Sequence, residues 1–308
     1  MTFFFEVLIG GLLSGVLYAL VALGFVLIFK ASGVFNFAQG AMVFFAALTF
    51  VGFTEVLPGW TGMEPGSGGV FWLSFALALM SMVVLGIATE KVVLRPLVNQ
   101  PPITLFMATI GLTFFIEGLV QAIWGNTARG LSLGISDEPV MWMLDEFDMM
   151  ISKFDLIAAG IALVLFVVLA LLFQYTRVGR ALRAVADDHQ AALSVGIPLK
   201  HIWAIVWGVA GFVALIAGLI WGARNGVQFA LTFTALKALP VLILGGFTSV
   251  PGAIIGGLII GASEKLAEIY LGPFVGGGIE SWFPYILAML FLLVRPEGLF
   301  GEKHIDRV

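Results

Sequence analysis

The sequence predicts an all-α integral membrane protein, a polytopic helical bundle of about eight to ten transmembrane helices with one charged cytoplasmic helix. Three observations lead there. The 308 residues are 60% hydrophobic and 11% charged, whereas soluble domains average about 45–50% apolar and about 25% charged. The mean hydropathy is +1.09. Apolar runs of spanning length recur from one end to the other, and no polar block between them is large enough for a water-facing core. One membrane domain over residues 1–308 is therefore expected.

The runs can be taken in order. The first, 3–29, lacks a basic leading region and contains Glu6. It also exceeds the apolar stretch of about 7–15 residues in a cleaved signal, so it reads as a retained helix. Runs at 34–53, 70–89 and 103–124 follow, then an external loop at 125–154, a run at 155–175, a charged segment at 176–202, and runs at 203–224, 236–249, 250–270 and 282–294. Two of these, 236–249 and 282–294, are short, and Pro240, Gly245, Gly246 and Pro251 interrupt the region between Gly226 and Gly261. Half-helices or re-entrant segments are expected there, where covered backbone is tolerated. In the 125–154 loop Trp142 and neighbouring methionines fit an interfacial helix resting on membrane lipid, the usual place for an aromatic belt.

Basic residues set the orientation, because cytoplasmic connections carry the excess of lysine and arginine. Alternation puts Lys30, Lys91, Arg95, Arg177, Arg180, Arg183, Lys200, Arg295, Lys303 and Arg307 on one side, which is 10 of the 15. Only Arg129, Lys153 and Arg224 fall opposite, and Lys237 and Lys265 lie near or within spans. The N-terminus is expected outside and the C-terminus in the cytoplasm.

Absences narrow the chemistry. There is no cysteine, and His189, His201 and His304 have no metal-ligand spacing, so neither a catalytic nor a metal site is expected. Nothing points to nucleic acid. No Gly-rich phosphate loop ending in Lys-Ser/Thr is present, so the chain is expected to bind no nucleotide or other cofactor itself.

The segment TRVGRALRAVADDHQAALSVGIPLKHI interrupts the apolar pattern. Over 178–194, Arg180, Arg183, Asp187, Gln190 and Ser194 form one helical face, while Leu182, Val185, His189 and Leu193 form another. Arg183 and Asp187 stand one turn apart and are expected to pair. Gly196 and Pro198 supply the stop. A basic helix lying on anionic lipid is the simple alternative, but Asp187 and Asp188 oppose it, and mixed charge on one face suits a protein groove.

RVGRALRAVADDHQAALSVGI resembles the cytoplasmic coupling segment of branched-chain amino acid ABC-transporter permeases, the LivH/LivM family. The matching positions are Arg183, Ala184, Ala186, Asp188, Ala192, Gly196 and Ile197. YALVALGFVLIF, GVFNFAQGAM, ATIGLTFFIEG, ALPVLILGGFTSVPGAIIGGLIIG and RPEGLFG bracket it in family order, with Gln39 where the family often carries His. A start at Met1 leaves no room for the extra N-terminal helices usual in LivM-type chains, which places the sequence nearer LivH. The resemblance implies a non-catalytic permease subunit of an ATP-driven importer in a bacterial inner membrane, with branched-chain amino acids as cargo. It implies as partners a LivM-type second permease, two cytoplasmic ATPase subunits that use ATP and Mg, and a periplasmic substrate-binding protein. Arg180, Arg183, Asp187, Asp188, Ala192 and Gly196 would then form the ATPase-coupling set.

Polar residues within spans are costly and suggest pairing or function. Asn36, Gln39 and Gly40 share one turn, so the two amides are candidates for the translocation pathway or for an interhelical clamp. Gly11-x-x-x-Gly15, Gly252-x-x-x-Gly256 and Gly257-x-x-x-Gly261 are small-residue stripes for close helix packing. Glu117 lies deep, and Lys265 is expected to neutralise Glu268 at i+3. An ion- or proton-coupled secondary transporter of a small polar solute, using Glu117, Glu264 and Lys265, is the competing class; such a carrier has no need of the charged segment.

Overall fold

The computed structural model describes residues 2–97, 100–187, 192, 194, 196–197 and 199–301. Among them, seven helices are long and apolar enough to cross a membrane, and two shorter apolar helices bring the apolar segments to nine. The multi-pass helical architecture expected from the apolar runs is present. The shortfall at 236–249 and 282–294 is physical: α-helical rise is about 1.5 Å per residue, so twelve residues reach only about 18 Å.

The helices in order are α1 (Thr2–Ser32), α2 (Gln39–Thr61), α3 (Gly68–Ala88), α4 (Pro102–Trp124), α5 (Met141–Phe147), α6 (Lys153–Tyr175), α7 (Arg177–Asp187), α8 (Leu199–Asn225), α9 (Thr234–Gly245), α10 (Val250–Val275) and α11 (Phe283–Val294). A π-helical turn at Thr89–Leu94 extends α3, and short 3₁₀ turns occupy Arg95–Leu97, Phe229–Phe233 and Ile279–Ser281. The chain divides into two compact units. One comprises Met1–Val26, Gly134–Leu172 and Ala235–Val308; the other comprises Leu27–Leu133 and Phe173–Thr234.

In the unit built on Leu27–Leu133, α2 is the central helix, buried from Gln39 through Gly52, and it packs against α3, α4 and α8. Small residues allow this. Gly86 of α3 lies against the backbone of Trp207 and Gly218 of α8 lies against Val43, so an added Cβ would stand 3.2 Å and 2.6 Å from them respectively. Trp203 Nε1 donates to the Ala31 carbonyl at 3.1 Å. The run expected at 34–53 is shifted, because α1 stops at Gly33 with φ +66° and residues 34–38 are not helical. The loop side is fastened by Arg129, whose guanidinium pairs with Glu55 at 2.6 Å and also donates to the Trp124 carbonyl.

In the other unit α10 packs against α11 and against the first half of α1. Pro240 lies inside α9, Pro251 sits in the first turn of α10, and the break is confined to residues 246–249. The RPEGLFG tail returns to this break. Leu299 N donates to the Leu244 carbonyl at 2.8 Å and Phe300 N to that of Gly245 at 3.2 Å. Gly246 and Gly298 permit the approach, both with positive φ. The short α5 forms inside the 125–154 loop, with Met141, Trp142 and Phe147 exposed, as an interfacial helix requires.

Candidate functional site

The charged segment begins immediately after α6. Thr176 caps α7: its Oγ1 accepts from Gly179 N at 3.1 Å, and its carbonyl accepts from Arg180 N. The turn is so tight that a Cβ on Gly179 would lie 2.5 Å from Phe173 Cα. Leu182 and Val185 are buried, as the apolar face predicts, and α7 packs on α8. At the far end, Gly196 has φ +83° and Ile197 N donates to the Ala192 carbonyl at 3.0 Å. This six-to-one bond around a left-handed glycine is the Schellman stop.

The arginines reach back to the end of α6. Arg183 Nη1 donates to the Phe173 carbonyl at 2.5 Å and Nη2 to that of Gln174 at 3.4 Å, while Arg180 Nη1 reaches the Tyr175 carbonyl at 3.3 Å. The last carbonyls of any helix lack intrahelical donors, and a cation is favoured there. Arg183 thus holds backbone carbonyls of α6, while the side chain of Asp187, its expected partner, lies outside the described residues. The backbone of Asp187 ends α7; Asp188, His189, Gln190, Leu193 and Pro198 lie outside the described residues, as do Lys303, His304 and Arg307. Ala192 is buried, whereas Arg180, Arg183 and Gly196 are exposed.

Asn36 and Gln39 come together at the α1–α2 break. Both are fully buried, and Asn36 Nδ2 lies 3.5 Å from Gln39 Oε1. Asn36 Oδ1 accepts from Ala38 N at 3.2 Å, so this residue also shapes the turn. Thr109 of α4, which sequence reasoning missed, ties the break down: its Oγ1 accepts from Phe37 N at 3.2 Å, while its single proton has the Phe106 carbonyl at 2.8 Å and the Phe35 carbonyl at 3.2 Å as acceptors. Gln39 Nε2 is buried without a partner among the described residues. Since only Asn36 holds backbone, Gln39→Leu should leave the thermal midpoint of the purified assembly within a degree or two and lower uptake about tenfold, the worth of one hydrogen bond to a solute. Asn36→Leu should lower both. Equal loss of assembly for the two would make the pair a clamp.

The glycine stripes meet a specific partner. A Cβ on Gly11 would stand 2.7 Å from the Gly261 oxygen, and one on Gly257 would stand 2.5 Å from the Gly15 oxygen. Gly252 and Gly256 instead face α9, where a Cβ on Gly256 would lie 2.6 Å from the Val241 oxygen. The intramembrane charges pair differently from the local expectation. Lys265 binds Glu280 at 3.0 Å, not Glu268. The Glu268 carboxylate accepts from Gly278 N and Glu280 N, both at 2.9 Å, because a glycine turn brings those donors to it. Glu264 is likewise separate from Lys265 and pairs with Lys237 at 3.3 Å. Glu117 is buried. Among the described residues no group of three or more His, Asp or Glu could hold a metal ion.

Seven helices long and apolar enough to span, together with buried polar groups at a helix break, fit a multi-pass membrane transport component. The chain belongs to the family described as "Branched-chain amino acid transport system / permease component", which matches residues 7–295. It is 26% identical to the high-affinity branched-chain amino acid transport system permease protein LivH of Escherichia coli (strain K12), over 99% of this chain and 98% of that one. It is also 26% identical to BraD, the corresponding permease protein of Pseudomonas aeruginosa, with the same coverage. A probable branched-chain amino acid transport permease protein LivH of Methanocaldococcus jannaschii is 26% identical over 96% of this chain and 92% of that one. A gradient-driven secondary transporter is not favoured by this membership.

Proposed function

We propose that this chain is one permease subunit of an ATP-driven importer of branched-chain or similarly small apolar amino acids. It works with two cytoplasmic ATPase subunits that use ATP and Mg, a LivM-type second permease and a periplasmic substrate-binding protein. Its place is the bacterial inner membrane, with the N-terminus external and α7 and the C-terminus cytoplasmic. The observation that carries this reading is the bracing of α7 on α6. A helix capped at Thr176 and clamped to the preceding span through Arg180 and Arg183 can pass a push from a cytoplasmic motor into the membrane. Asp187 and Asp188 offer the motor charge. Asn36 and Gln39 lie at the break through which the cargo passes.

Reconstitution tests this directly. With its partner permease, ATPases and binding protein in liposomes, the chain should accumulate leucine, isoleucine or valine only when ATP is supplied. Uptake by the chain alone, driven by a proton or sodium gradient, would reject the reading. Orientation is checked separately in this cysteine-free protein: Ser132→Cys should react with an impermeant thiol reagent from outside only. Labelling from the cytoplasm alone would invert the topology.

A further inference from the structure

Three side chains far apart in sequence meet in the unit that contains α9 and α10. Tyr18 OH donates to Glu264 Oε1 at 3.0 Å, and Lys237 Nζ reaches the same oxygen at 3.3 Å. Lys237 Nζ also lies 3.4 Å from Tyr18 OH and 5.6 Å from the centre of its ring. Lys265 pairs with Glu280 and is not the partner of Glu264.

The triad is deep. Tyr18 stands about 24 Å along α1 from its first residue and about 21 Å from its last, at about 1.5 Å per residue. Glu264 stands about 21 Å and about 17 Å from the two ends of α10 on the same measure. Both are near the middle of a hydrocarbon core of about 30 Å.

Exposure distinguishes the partners. The Glu264 side chain is 1% exposed and that of Lys237 is 39% exposed. An ammonium group facing lipid at mid-depth is costly, so such groups face a bundle interior, a watery cavity or protein. Lys237 therefore looks onto a path or a partner subunit. Its direction is fixed by Glu264 and Tyr18, which use part of its donor capacity and leave the rest for an incoming acceptor, since an ammonium has three donors. Glu264 Oε2 is buried with no hydrogen-bond partner among the described residues, an unused acceptor beside that ammonium. The accessible member is the cation, which suits a carboxylate.

We propose that Lys237, positioned by Glu264 and Tyr18, is a mid-membrane binding site for the α-carboxylate of the amino acid in transit. This rests on the importer reading above.

The test separates a binding role from a structural ion pair. Removing one member of a buried pair strands the other charge, whereas replacing both by neutral groups of similar size is often tolerated. The complete complex carrying Lys237→Met with Glu264→Gln should therefore assemble and show ATPase activity stimulated by the loaded binding protein. Its uptake of radiolabelled leucine, isoleucine and valine should fall about tenfold or more, the scale of one lost charged hydrogen bond. Lys237→Arg, which keeps the positive charge, should retain much more uptake than Lys237→Met. Wild-type uptake by the double variant would overturn the proposal, and so would failure of that variant to assemble, which would make the triad a structural anchor. If the unmodified complex accumulates none of the amino acids with ATP, the importer reading itself fails.

Discussion

Replacing Gly15 by leucine is expected to remove the protein from the membrane as a folded species. The obstacle is backbone. A Cβ on Gly257, directly opposite, would lie 2.5 Å from the Gly15 oxygen, and one on Gly15 would be closer still to that of Gly257. No rotamer change relieves a clash with a carbonyl, so α1 and α10 must separate along the whole stripe. Overpacking normally costs about 1–3 kcal/mol, and this case should reach the upper end or beyond. The same change at Gly10, where nothing lies within 4 Å of an added Cβ, should be tolerated. Detergent-resistant assembly, followed by size-exclusion chromatography, reads both variants. A stable Gly15→Leu protein would mean that the close seam is absent.

The second large effect is expected at the junction of α6 and α7. Gly179→Val places a branched side chain against the Phe173 backbone, and α7 must swing away from the span. Arg183→Met leaves the turn intact but removes the donors to Phe173 and Gln174, a loss of about 1 kcal/mol for exposed contacts. Both variants should reach the membrane. Both should hydrolyse ATP in the complex, yet amino acid accumulated per ATP should fall about tenfold for Gly179→Val and by less for Arg183→Met. Unchanged coupling in both would remove α7 from the transmission path and favour a helix lying on the lipid surface.

Much of this architecture was legible because its signals are local. Apolar run length marked the spans, and the spacing of Leu182 and Val185 marked the buried face of α7. Gly196 was readable as a stop because few other residues accept its backbone angle. What escaped depends on long-range approach. The glycine repeats announced close packing but carry no address, and nothing in either stripe says that Gly11 meets Gly261. Lys265 and Glu268 invited pairing at i+3, yet Glu280 returns to Lys265 over a turn in which Gly276, Gly277 and Gly278 all have positive φ. Tyr18 and Glu264 are 246 residues apart, and no periodicity joins them. The arginine clamps could have been found: basic residues within a turn or two of a helix end are natural donors to its last carbonyls.

The seam between the first half of α1 and α10 also limits how the transporter can move. Carbonyl oxygens of Gly11, Gly15, Gly257 and Gly261 sit in the notches left by missing side chains, like teeth in a rack. Sliding one helix along the other by a single residue, about 1.5 Å, would drive those oxygens into the neighbouring side chains and pull Tyr18 out of hydrogen-bonding range of Glu264. These two helices must therefore travel as one rigid body through the cycle.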